Sequence, residues 1–108
     1  MPPSFVFLGT PSFAVIVLDE LEKASLVPSL IVTSPDRPRG RGLHITPSEV
    51  KVWAEKRDIP VLQPTTLNKE TIEKIASVGT SFAVVTAYGK IIPKTLIEKF
   101  PKGILNVH

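Results

Sequence analysis

Asn106 and His108 stand two residues apart at the end of an apolar run, Gly103-Ile104-Leu105-Asn106-Val107-His108, and both side-chain types can serve acyl transfer. A carboxamide NH2 can donate to an oxygen that gains negative charge, and an imidazole can take up and return a proton. Transfer of an acyl group to an amine needs both. If the run is a strand, its side chains alternate, so Asn106 and His108 share one face while Leu105 and Val107 share the other. The pattern predicts one chemical face and one core face. Ordinary strands also end in solvated polar residues, so the pair acquires meaning from the elements that position it.

Those elements alternate in type along the chain. Ser4-Phe5-Val6-Phe7-Leu8, ended by Gly9, reads as a strand buried on both faces. Ala14, Val17, Leu18 and Leu21 then recur at helical spacing with acids opposite, and Ser12 is placed to cap that helix. Leu30-Ile31-Val32-Thr33 gives a second strand. From Ser34 to Gly42 the prolines and glycines exclude helix and central strand and predict a loop. Thr46-Pro47-Ser48-Glu49 reads as a capping box with Thr46 as cap and Pro47 in the first helical position; Val50, Trp53 and Ala54 face inward. Ile59-Pro60-Val61-Leu62 is a short strand that its proline assigns to an edge. Asn68 caps a further helix with Leu67 and Ile72 as a hydrophobic staple, and Gly79 stops it. Phe82 to Ala87 is the most strand-like run, and a short helix from Pro93 to about Phe100 leads to the final strand.

Five strands alternating with helices predict an α/β, doubly wound, mainly parallel sheet of order 3-2-1-4-5. Such sheets bind ligands beyond the carboxyl ends of their strands where the order reverses, here between the first and fourth. Gly9-Thr10, Tyr88-Gly89-Lys90 and Asn106 to His108 would converge there.

Composition narrows the class. One domain accommodates all 108 residues, and 43% hydrophobic with 21% charged residues is a globular balance. With no cysteine and two distant histidines, His44 and His108, neither a disulfide framework nor a sequence-local zinc site can be built, so no metal is expected. Apolar runs reach six residues against the ~20 a membrane helix needs, and no secretory pattern opens the chain, so a cytoplasmic protein without a membrane partner is expected. The net charge of +3 says little, but Arg37, Arg39 and Arg41 fall within five residues and make a local basic segment. Gly9-Thr10-Pro11-Ser12-Phe13-Ala14 sits where a dinucleotide fingerprint would, yet Pro11 blocks the close approach of a pyrophosphate. Gly89-Lys90 lacks the first glycine and the hydroxyl residue of a Walker loop, positions taken by Val84 and Ile91.

In order and spacing the blocks resemble one family. They are Gly9 to Ala14, Ser34-Pro35-Asp36-Arg37-Pro38 with Gly40-Arg41-Gly42, Thr46-Pro47-Ser48 with Val50-Lys51, Pro60-Val61 with Gln63-Pro64, Ala87-Tyr88-Gly89 with Ile92-Pro93, and Asn106-Val107-His108. Together they are similar to the N-terminal, Rossmann-like formyltransferase domain of the methionyl-tRNA formyltransferases. Single blocks also resemble other folate-dependent formyltransferases, such as those of purine synthesis.

The resemblance implies a formyl donor, 10-formyltetrahydrofolate, and an acceptor, the amino group of initiator methionyl-tRNA. It implies Asn106 and His108 as catalytic residues. Ala87, Tyr88, Gly89, Lys90, Ile91 and Ile92 would line the pteridine pocket, largely through backbone groups. Arg41, with Arg37 and Arg39, would enter the acceptor end of the tRNA, and Gly9 and Thr10 would lie near the acceptor substrate. Arg39 departs from the small residue common there. The family continues after the histidine with a Ser-Leu-Leu-Pro run, a catalytic aspartate and a C-terminal tRNA-binding domain, so residues 1–108 are expected to be an incomplete, monomeric and by themselves inactive piece. A noncatalytic nucleic-acid-binding module is the competing reading, carried by the arginines alone.

Overall fold

A computed structural model describes residues 4–9, 12–35, 37–39, 44–46 and 48–107. The elements run β1 (Phe5–Gly9), α1 (Ser12–Lys23), β2 (Leu30–Val32), β3 (Arg37–Arg39), β4 (His44–Thr46), α2 (Glu49–Glu55), β5 (Val61–Leu62), α3 (Lys69–Ala76), β6 (Phe82–Thr86), α4 (Lys94–Ile97) and β7 (Ile104–Asn106). Five of the strands form one sheet, ordered β5-β2-β1-β6-β7, and every pairing in it is parallel. Numbered among themselves, these strands stand in the expected order 3-2-1-4-5.

Alternation explains why the inner strands are apolar throughout. Phe5, Phe7, Ile31 and Val84 face α1 and α2, where they bury Ala14, Leu18, Val50 and Trp53. Val6, Leu8, Val32, Ala83 and Val85 face the opposite layer and bury Ile72, Ile75 and Leu96 from α3 and α4. Helices cover both faces, so β1 needs no polar side. The first helical layer is also tied by polar groups: Trp53 Nε1 donates to Asp19 Oδ1 at 2.8 Å, and Arg57 donates to both Glu22 oxygens at 2.6 and 2.9 Å while stacking 3.8 Å above the Trp53 ring.

Gly9 is set by close approach. A Cβ there would lie 2.7 Å from the Thr86 carbonyl oxygen, 2.8 Å from the Phe7 ring and 2.9 Å from Ala14 Cβ. α1 can therefore leave β1 at once and lie against the sheet only with a glycine at the strand end.

Asn68 accepts from Thr71 N at 2.9 Å as the cap of α3, and Leu67 and Ile72 join the same core cluster. β5 lies at the edge, where its proline had placed it. Four expectations are corrected. The segment from Ser34 to Gly42 is not all loop, because β3 pairs antiparallel with β4, Pro38 opposite Ile45; in a ribbon of two edge strands a proline nitrogen has no central ladder to interrupt. Thr46 does not cap α2, since it belongs to β4; Ser48 caps instead, accepting from Lys51 N at 3.1 Å. Ser12 is the first residue of α1 rather than its cap. Leu105 is not core but 60% exposed, because α1 and α2 cover the centre of their face and leave β7 at its margin.

Candidate functional site

β1 and β6 end side by side, with Gly9 registered against Thr86, and this is where the strand order reverses. β6 and β7 run in register with Val85 opposite Asn106, so Asn106 stands at the point where the chain leaves β6 for the segment 87–92. A parallel register is what joins two pieces of sequence twenty residues apart. Val85, Ala87, Tyr88, Gly89, Lys90, Ile91, Ile92 and Asn106 line one open cleft of about 510 Å³.

The Ala87–Ile92 segment has an unusual backbone. Ala87 has φ 48° and Gly89 φ 84°, two left-handed residues within three positions. For glycine this costs nothing, but for alanine it is a strain of order 1 kcal/mol, and such residues concentrate at binding sites. Among the described residues, no backbone hydrogen bond involves Ala87 to Ile92. Its N–H and C=O groups thus have no backbone partner among the described residues, as a site that reads its ligand through backbone requires. Ile91 is 92% exposed and offers an apolar face at the mouth.

Three side chains anchor the segment, and one of them, Ile92, packs against the core cluster. The Tyr88 ring is buried with Leu96 and Phe100, and burial pushes its phenol above the ordinary tyrosine value. Its hydroxyl is buried, with no hydrogen-bond partner among the described residues. Lys90 reaches the other way: Nζ donates to the carbonyls of Pro64 at 3.1 Å and Thr65 at 2.6 Å, and lies 5.8 Å from the centre of the Tyr88 ring.

The structure thus brings Asn106 together with all six residues of the expected pteridine segment and sets Gly9 at the neighbouring strand end. The Asn106 carboxamide is exposed, available to an incoming oxygen. Arg37 and Arg39 lie in β3, described by their backbone alone, and Thr10, Arg41 and His108 lie outside the described residues. Sequence reasoning missed Val85 as a lining residue, because an apolar residue in a buried run carries no sign that its strand end opens. It also missed Pro64 and Thr65, whose part is played by carbonyls that no side chain announces. A second groove, about 400 Å³ between Leu67, Lys69, Ile72, Glu73, Thr95 and Lys99, holds no expected site residue.

A family model described as formyl transferase matches residues 4–108. The chain belongs to the formyl transferase family. Among curated relatives it is 44% identical over 103 residues to methionyl-tRNA formyltransferase of Heliobacterium modesticaldum, covering 95% of this chain and 33% of that protein. To the Thermus thermophilus protein of the same name it is 46% identical, over 94% of this chain and 33% of the relative. The chain therefore spans about a third of the length of these relatives. Among solved structures it resembles glycinamide ribonucleotide transformylase 1 from Geobacillus kaustophilus, with a TM-score of 0.65 and 18% identity, over 100% of this chain and 58% of the other. That likeness is one of fold.

Proposed function

We propose that this chain is the donor-binding part of a methionyl-tRNA formyltransferase, which moves a formyl group from 10-formyltetrahydrofolate to the amino group of methionyl-initiator-tRNA at the start of translation. One observation carries the reading: Asn106 and the Ala87–Ile92 segment share a cleft at the carboxyl ends of β6 and β7.

The residues present fit such a donor. A flat pteridine needs apolar walls and a few fixed polar groups, and the cleft combines Val85, Ile91 and Ile92 with backbone groups that have no backbone partner among the described residues. When bound, the donor supplies an activated formyl carbon. Asn106 would donate its side-chain N–H to the formyl oxygen as the amine attacks and that oxygen gains charge. His108 would accept the proton that the amine sheds and assist its passage to the leaving nitrogen. Gly9 and Thr10, at the end of β1, would border the acceptor amine. Arg37 and Arg39, from β3, together with Arg41 would neutralise phosphates of the tRNA acceptor stem.

Relatives named methionyl-tRNA formyltransferase at 42–46% identity favour the tRNA acceptor over glycinamide ribonucleotide, whose enzymes share the fold at 18%. The discriminating experiment uses a chain continued to the length of its relatives and offers it both acceptors with one labelled donor. Formylation of methionyl-tRNA is expected. Formylation of glycinamide ribonucleotide alone would replace this reading, and high-affinity RNA binding with no transfer to either would favour a noncatalytic module.

A further inference from the structure

The Ala87–Ile92 segment has a shape that its own backbone does not hold. It contains two left-handed residues and makes no backbone hydrogen bond among the described residues. Its side-chain anchors are Tyr88 and Ile92, which pack on the core, and Lys90, which reaches across to the loop after β5 and alone among them ties the segment by hydrogen bonds. Lys90 is half-buried, and both of its hydrogen bonds are charge-assisted, to carbonyls 25 and 26 residues away. The loop it grips is itself tied onward, since Gln63 Nε2 donates to Ser34 O at 3.3 Å.

We propose that Lys90 is a positioning residue: by holding the Pro64 and Thr65 carbonyls it fixes the Ala87–Ile92 backbone in the form that receives the formyl donor. The inference rests on the donor-site reading above and deepens it, giving the side chain of Lys90 a role distinct from lining the pocket. Two of the three ammonium N–H groups are engaged by the loop carbonyls, while the positive charge remains. A methionine at the same place would keep an unbranched apolar stem but remove the ammonium that grips the far loop and lies 5.8 Å from the Tyr88 ring centre. The segment would then sample several shapes, and the donor would bind only the fraction in the competent one.

The test compares the unmodified chain, continued to the length of its relatives, with Lys90→Met and Lys90→Arg. Tetrahydrofolate binding is measured by calorimetry, transfer kinetics by KM and kcat, and NMR backbone order parameters at 63–66 and 87–92 in the free protein. For Lys90→Met, affinity should weaken about tenfold, the scale of one charge-assisted hydrogen bond. KM for the donor should rise in proportion, kcat should change by less than about threefold, and order parameters should fall in both segments together. Lys90→Arg, which retains a donor cation, should recover most of the affinity. If Lys90→Met binds tetrahydrofolate as tightly as the unmodified chain, or if order parameters fall in neither segment, the proposal is overturned while the donor-site reading stands. If the unmodified chain does not bind tetrahydrofolate at all, the donor-site reading falls and the positioning role falls with it.

Discussion

Tyr88 carries a hydroxyl that its surroundings do not use. The oxygen is buried and unpartnered among the described residues, and a buried polar group without a hydrogen bond costs folding free energy that phenylalanine would not. Tyr88→Phe should therefore leave stability unchanged or raise it by up to about 1 kcal/mol at neutral pH, read from urea unfolding. The pH dependence has a definite sign. Burial raises the phenol's pKa in the folded state, so its contribution is intact below the unfolded tyrosine value of about 10 and is lost as pH rises through the higher folded value. The unmodified chain should lose more stability than Tyr88→Phe between neutral pH and about pH 11; identical loss would mean that the phenol titrates as though exposed. Gly9 behaves oppositely, because there the constraint is space. The nearest obstacle to a Cβ is a backbone carbonyl at 2.7 Å, which cannot swing aside as a side-chain tip could. Gly9→Ala should cost about 1–3 kcal/mol, the scale of overpacking, by the same unfolding measurement.

Between elements, α1 and α2 are clasped by Arg57, which holds Glu22 in a two-point ion pair and lies over Trp53. The Arg57 hydrogen bonds hold the Glu22 carboxyl below the ordinary glutamate range, and Glu22 in turn raises Arg57. A depressed carboxyl contributes stability above its unfolded value of about 4.3 and loses it as pH falls through the folded value. Glu22→Gln should thus narrow the gap between stabilities measured at pH 6 and pH 3; an unchanged gap would assign the pair to solvated surface, where such bridges contribute little. The elements themselves were largely legible. β1 and β6 announced themselves as continuous apolar runs, and Asn68 with Leu67 and Ile72 marked the start of α3 because a side-chain cap and staple are local events. Thr46 misled because two residues in one stretch could cap, Thr46 and Ser48; what decided between them was the pairing of Thr46 with Arg37, a contact nine residues away. The ribbon was hidden for the same reason, its prolines and glycines reading as loop when only the pairing partner shows otherwise.

For the molecule as a whole, the sheet order followed from alternation and right-handed crossovers, but the cleft was expected between β1 and β6 and instead lies one strand over, at the ends of β6 and β7. What the order could not reveal was how far each helical layer extends. Leu105 alternates as a core residue should, yet α1 and α2 stop short of it and it stands 60% exposed. Leu105→Lys should accordingly shift the stability of residues 1–108 by no more than about 0.5 kcal/mol, as at any exposed position; a loss of 2 kcal/mol or more would show that the side chain is covered. The site was legible in part. The pairing of Asn106 with the Ala87–Ile92 segment follows from strand register, whereas the Lys90 tie depends on carbonyl positions that have no sequence signature.

Everything functional in this account turns on Asn106 facing the segment that receives the donor. The direct test is single-turnover formyl transfer to methionyl-tRNA by Asn106→Ala, in a chain continued to the length of its relatives and saturated with donor. Loss of one oxyanion donor predicts a rate lower by about 10²- to 10³-fold, with tetrahydrofolate affinity changed by less than about threefold. An undiminished rate would contradict the account, leaving Asn106 an ordinary polar residue at the end of an edge strand.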